Sequence, residues 1–309
     1  MQASYDDVEK ALGSRHQLRV FDHDVAVGPQ FEGIDVVMDH GGLVGTREMA
    51  DLAAGQVKLW QVLGTGMDHF DRTYWREKSI PVSHCPGMTS AIGLADLAMM
   101  FILMLARQYP TAPRALREQL YNEPFGRDLD GLKLGIVGLG ASGTLLARRA
   151  NSFGLGVFAV EVRDVGQDEI DELNLYQVVD PTELDSVVAE VDFLSLHVHL
   201  TDETRHMMDR RRLGLMKSTA CLINVARGEL VDEVALTEAL VERRLGGAGL
   251  DVFAQEPVDL TSPLFDMENF VATYHCAGAT TGTSRRRAQV AAENVDRIAE
   301  GLEPLHRVE

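Results

Sequence analysis

Three polar side chains stand just past three apolar runs: Arg227 after ACLINVA, Glu256 in AQEP after GLDVF, and His275 after FVATY. Singly, each has an ordinary role, as a surface ion-pair partner, a loop acid before Pro257 or a turn histidine. Together they set a guanidinium, a carboxylate and an imidazole at strand ends, the rim of an open α/β sheet where ligands bind. Such a set suits chemistry at a carbon that bears oxygen. Oxidising a secondary alcohol to a ketone requires hydride transfer and removal of the hydroxyl proton. An imidazole that titrates near neutrality suits the proton step. A neighbouring carboxylate fixes its tautomer and orientation and stabilises the imidazolium. An arginine holds a carboxylate through two parallel hydrogen bonds and polarises a carbonyl. The expected roles are His275 as acid/base, Glu256 as its partner and Arg227 as substrate anchor.

A hydride needs a carrier, and the stretch LKLGIVGLGASG (132–143) offers a place for one. Gly138, Gly140 and Gly143 have G-x-G-x-x-G spacing directly after a strand pattern and at the start of a helix pattern. Small residues there let the backbone approach a pyrophosphate, whose charge sits on the helix N-terminus. The next strand pattern, GVFAV, is followed by Glu161, where an acid takes the adenosine ribose hydroxyls. A carboxylate at that point repels a 2′-phosphate, which predicts NAD rather than NADP. Arg163 lies two residues on and could swing toward a phosphate.

The elements that carry these residues read as alternating β and α. LRVF (18–21), DVVM (35–38) and VKLWQVL (57–63) predict strands, with a helix over TREMADLAA (46–54). From 132 onward the alternation is regular. LKLGIV, GVFAV, VDFLSLHV, ACLINV, GAGLDVF and NFVATY are strands, and helices span 141–153, PTELDSVVA, DRRRLGLM and VDEVALTEALVERR. Strands this apolar, spaced by helices, predict a parallel sheet covered on both faces. The helix at 89–107 is the expected joint between domains, and the tail from about 284 reads as one amphipathic helix.

Composition excludes several function classes. A net charge of −18 argues against nucleic-acid binding, which needs a basic surface. It also means that an anionic substrate would need locally placed cations or N–H groups. Cys85, Cys221 and Cys276 are too few and too scattered for a disulfide framework or zinc site, and fit a reducing, cytoplasmic setting. There is no secretory signal pattern, and the most apolar run, LAMMFILMLA (97–106), is too short to span a bilayer. Such a helix is buried in a core or a subunit interface.

These residues resemble the D-isomer-specific 2-hydroxyacid dehydrogenases. The resemblance rests on LGTGMDHFD (63–71), GIVGLGASG (135–143), HVHLTDETRHMM (197–208), LINVARGELVDE (222–233), GLDVFAQEP (249–257) and HCAGAT (275–280). It implies two Rossmann-like domains, doubly wound parallel sheets with the active site in the cleft between them. The implied flavodoxin-like substrate domain comprises 1–87 plus 281–309, and the NAD-binding domain 88–280. It implies interconversion of a D-2-hydroxy acid and its 2-keto acid, and a homodimer through the cofactor domain. The same resemblance places Thr65 and Gly66 at the substrate carboxylate, and Ala141 and Ser142 at the pyrophosphate turn. Thr65, Val198, Val225, Ala226, Arg227, His275 and Gly278 match further cofactor-contact positions, and Asp251 the residue that holds the nicotinamide carboxamide.

The chain departs from the family pattern in four places. His199 stands where proline is usual, Tyr274 precedes His275 where proline is usual, and Asp96 replaces a glutamate. The opening YDDVEKAL reads as a helix, so the usual first strand is expected to be missing. His197 and His199 share a strand face, but no third ligand has matching spacing, so no metal is expected. The rival to an enzyme is an NAD(H)-sensing, corepressor-like binding module on the same fold. Formate dehydrogenase is disfavoured because that family has glutamine where Glu256 stands. Phosphite oxidation remains open, because its trio is the same. The particular acid is set by loops around 40–45 and 64–69; DHGGL (39–43) shows no arginine cluster for a phosphate.

Overall fold

The computed structural model describes residues 2–40, 45–67 and 70–308, with backbone alone for the first two. Part of the two selectivity loops, including Asp68 and His69, therefore lies outside the described residues. The chain divides into two compact units, Met1–Ser90 with Ala279–Glu309, and Ala91–Gly278. The divisions fall at 90/91 and 278/279, against sequence-based expectations of 87/88 and 280/281.

The first unit is built on a four-stranded sheet. Strands β1 (Val36–Asp39), β2 (Leu59–Val62) and β3 (Val82–Ser83) run parallel in that order, and Arg307–Val308 pairs antiparallel with β3. One face packs an aromatic cluster in which Trp60 and Trp75 meet edge to face at 5.2 Å. The other face carries Val8 and Leu12 from the helix Gln2–Leu12 and Ala288, Ala291 and Val295 from the helix Thr281–Ala299. Buried Asn294 fastens the latter helix: its Nδ2 donates to Gln61 Oε1 of β2 at 2.7 Å, and its Oδ1 accepts from Leu305 N–H at 2.7 Å.

LRVF (18–21), expected as a strand, has no regular structure. A strand needs a neighbour for its N–H and C=O groups. The sheet ends at β1, with no described strand beyond it, and Val20 is left exposed.

The second unit holds a seven-stranded, all-parallel sheet. Its strands are β4 (Lys133–Val137), β5 (Gly156–Val160), β6 (Leu175–Val179), β7 (Phe193–Leu196), β8 (Cys221–Asn224), β9 (Gly247–Leu250) and β10 (Phe270–Ala272). The order is β10-β9-β8-β7-β4-β5-β6. Strand order reverses between β4 and β7, and ligands bind beyond the carboxyl ends of the strands at such a switch point. Both faces are covered. Helices Ala91–Ala106 and Ala141–Ser152 pack on one and Leu184–Glu190 and Glu233–Val241 on the other. Strand β6 escapes sequence reading because it is an edge whose middle residues Tyr176 and Gln177 face solvent.

The apolar helix Ala91–Ala106 gives one face to the core of its own unit and leaves Ile92 and Met100 exposed. Phe101 and Ile102 are fully buried, and Phe101 lies so near β9 that a Cβ on Gly249 would stand 2.8 Å from it. Among the described residues no single helix is long and apolar enough to cross a membrane.

Candidate active site

The glycine turn sits at the switch point. Gly138 has φ +96°, and a Cβ there would come within 2.9 Å of His197 O. A Cβ on Gly143 would lie 2.0 Å from Gly138 O, so only glycine allows the helix to pack on the turn. Gly140 differs: nothing lies within 4 Å of its missing Cβ. It caps the helix Ala141–Ser152 without a side-chain hydrogen bond, and the first intrahelical bond runs from Thr144 N–H to Gly140 O. The N–H groups of Ala141, Ser142 and Gly143 therefore stand at the open end of a helix dipole. Open space above a glycine and a positive helix end fit the pyrophosphate of a dinucleotide. Glu161, following β5, accepts from Leu139 N–H at 2.7 Å and from Val162 and Arg163 N–H. Its carboxylate is thus fixed against the turn, where it can accept ribose hydroxyls.

His275 and Glu256 are in contact, with Nδ1 2.8 Å from Oε2. The other carboxylate oxygen of Glu256 accepts from Phe253 N–H at 3.1 Å, so the acid is aimed by the loop that follows β9. His275 has φ 49°, a left-handed conformation, and its N–H donates to Asp251 O at 2.6 Å. The Asp251 side chain, wholly buried, builds the same turn. Its Oδ1 accepts from Thr273 Oγ1 at 2.5 Å and Cys276 N–H at 2.9 Å, and its Oδ2 from Ala277 N–H at 2.9 Å. Asp251 thus holds the histidine-bearing turn, a task the sequence reading did not assign to it.

Arg227 follows β8, the strand next to β9. Buried Asn224 clamps its turn: Nδ2 donates to Arg227 O at 2.7 Å, and Oδ1 accepts from Ala226 N–H at 3.1 Å. Arg227 Nη1 donates to Ala226 O at 2.7 Å. Gly228 locks this turn to the acid's loop, because a Cβ there would overlap Phe253 C at 1.9 Å. Strands β8, β9 and β10 are neighbours in the sheet, so Arg227, Asp251 and His275 rise from three adjacent strand ends. Sequence reasoning missed Asn224; its signal is a polar residue closing an apolar strand.

The remaining sequence-predicted residues lie as follows. Val225 and Ala226 are buried, leaving mainly their backbone for a ligand. Val198 packs over the glycine turn, 2.8 Å from where a Gly138 Cβ would be. Gly278 ends the second unit. Thr65 and Gly66 belong to the first unit, where Thr65 O lies 3.0 Å from His84 Nδ1. Asp96 pairs with Arg149 at 2.7 Å. Both ring nitrogens of His197 are taken: Nδ1 lies 2.9 Å from Ser142 Oγ and Nε2 2.9 Å from Ser195 Oγ. Burial pushes its pKa down to about 4, so the ring is neutral at physiological pH. Among the described residues no group of three acids, histidines or cysteines could hold a metal ion. Burial also pushes the Cys85 and Cys221 thiols up to about 12, which leaves them inert; Cys276 is exposed.

Residues 99–277 match the family model for the D-isomer specific 2-hydroxyacid dehydrogenase NAD binding domain. A glyoxylate reductase of Korarchaeum cryptofilum is 36% identical over 263 residues, 83% of this chain and 77% of that protein. A hydroxypyruvate reductase of Thermotoga maritima is 36% identical over 263 residues, 83% of this chain and 82% of that protein. Among solved structures, the TT0316 protein of Thermus thermophilus matches with a TM-score of 0.81 at 33% identity, over 100% of this chain and 97% of that one.

Proposed function

Since the chain belongs to the D-isomer-specific 2-hydroxyacid dehydrogenases, NAD-dependent oxidoreductases that act on a CH–OH group, we propose that it interconverts a small D-2-hydroxy acid and its 2-keto acid. The substrate class is that of glyoxylate and hydroxypyruvate, the names carried by its relatives. The observation that supports this reading best is the 2.8 Å contact between His275 Nδ1 and Glu256 Oε2, which follow β10 and β9, on the side of the sheet where β8 carries Arg227.

When bound, NADH supplies the hydride for the carbonyl carbon. Arg227 pairs with the substrate carboxylate and polarises the carbonyl, as its fork of N–H donors allows. Protonated His275 gives its Nε2 proton to the carbonyl oxygen as that oxygen becomes a hydroxyl. Glu256 stabilises the imidazolium and keeps Nδ1 protonated, so that Nε2 faces the reacting oxygen. In the reverse direction His275 accepts the hydroxyl proton. Thr65 and Gly66 of the first unit are assigned to the substrate carboxylate, and Val198, Val225, Ala226, Asp251 and Gly278 to the cofactor. The first unit is read as the substrate domain and the second as the NAD domain.

The chain is read as a homodimer through the second unit. Leu116, Tyr121 and Phe125 leave large apolar surfaces in solvent at 81, 90 and 86% exposure, an arrangement that marks an association surface. Light scattering on Leu116→Asp/Tyr121→Asp protein should then report a monomer. Three unpaired thiols fit a reducing, cytoplasmic setting. The test of the reaction is a panel of glyoxylate, hydroxypyruvate, pyruvate and phosphohydroxypyruvate with NADH. Consumption of NADH with the small keto acids supports the reading. No turnover with any of them, beside normal NADH binding, would favour a binding module instead.

A further inference from the structure

The second turn residue after Glu161 is a cation whose position bears on cofactor choice. Arg163 Nη1 lies 2.8 Å from Glu169 Oε2, and Nη2 2.6 Å from Glu169 Oε1, a two-pronged ion pair. The same Nη2 donates to Leu139 O at 3.3 Å, while Glu161 accepts from Leu139 N–H at 2.7 Å. Both side chains therefore converge on one residue of the glycine turn. Glu161 is the acid at the ribose hydroxyls in this kind of fold. The guanidinium beside it is thus within reach of any group attached to the ribose 2′ oxygen.

A 2′-phosphate is repelled by Glu161 and attracted by Arg163. The outcome depends on whether the guanidinium is available, and here both prongs are spent on Glu169. We propose that Glu169 is a positioning residue that enforces NAD over NADP by occupying both prongs of the Arg163 guanidinium, which a 2′-phosphate would otherwise claim. Glu161 repels the phosphate directly, and Glu169 acts through Arg163. This goes beyond the reaction proposed above and rests only on NAD binding at the glycine turn. A purely structural role, pinning the short helix Gln167–Glu172 to the β5 end, would change the affinities for NADH and NADPH alike.

Titration calorimetry with NADH and NADPH tests this without turnover. In Glu169→Gln protein the NADPH dissociation constant should fall about tenfold, the gain of one charge-assisted contact to a phosphate. The NADH constant should move less than about twofold. Adding Arg163→Ala to Glu169→Gln should return NADPH binding to the wild-type value, because the gain runs through the guanidinium. Glu169→Ser carries the same test if the glutamine variant does not fold. An NADPH gain under about twofold, a gain shared equally by NADH, or a gain that survives Arg163→Ala would overturn the proposal.

Discussion

Asp251→Asn removes one carboxylate oxygen from the turn that carries His275. The asparagine keeps one acceptor for Thr273 Oγ1 and Cys276 N–H and turns an amide NH₂ toward Ala277 N–H. One charge-assisted bond is lost, and a buried donor faces another donor. Hydrogen bonds to a charged group are worth about 1.5–3 kcal/mol, and an unsatisfied buried donor costs a similar amount. The turn should therefore open more readily by about 3 kcal/mol, roughly a hundredfold in its opening equilibrium. The chain's two tryptophans, Trp60 and Trp75, both lie in the first unit, so intrinsic fluorescence does not report on this turn. Hydrogen exchange of the 270–280 segment reads it directly. Exchange at His275, Cys276 and Ala277 should accelerate by about two orders of magnitude, while the helix Gln2–Leu12 is unaffected. Unchanged protection at those amides would refute the reasoning that Asp251 builds the turn.

Three further outcomes follow from the same geometry. Gly228→Ala forces a methyl group onto the Phe253 backbone and should destabilise the second unit by at least about 2 kcal/mol; a melting temperature within about a degree of wild type would contradict this. His197 is neutral when folded, with a pKa of about 4 against 6.5 unfolded, so the unfolded chain takes up the proton first on acidification. Stability should fall by about 2 kcal/mol between about pH 7 and 4.5 on this account, and His197→Gln should flatten that slope in urea titrations. Arg227→Ala should lower kcat/KM for keto acids by at least about a hundredfold without weakening NADH binding by a similar factor.

The parts legible in the sequence are those whose evidence is local. Gly138, Gly140 and Gly143 follow an apolar strand and open a helix, so spacing and context sit within one short stretch, 132–143. Arg227, Glu256 and His275 each follow an apolar run, which puts them at strand ends before any pairing is known. What the sequence hid depends on partners far along the chain. LRVF has a strand's composition but no ladder neighbour among the described residues, and pairing decides whether a strand forms. Asp251 reads as a ligand contact, yet its oxygens are met by groups 22, 25 and 26 residues away. The helix Ala91–Ala106 is apolar almost all round, so its sequence does not show which side the core of its own unit takes and which side keeps Ile92 and Met100 exposed. The exposed apolar side chains Leu116, Tyr121 and Phe125 come after it, where no helical stripe announces them.

The central claim is that His275, held by Glu256, moves the proton while the hydride comes from the nicotinamide. The most direct measurement is single-turnover NADH oxidation by glyoxylate in wild-type and His275→Asn proteins, with NADH affinity measured in parallel. The account predicts a rate lower by about two to four orders of magnitude with NADH affinity nearly unchanged. A variant that oxidises NADH at the wild-type rate would contradict it.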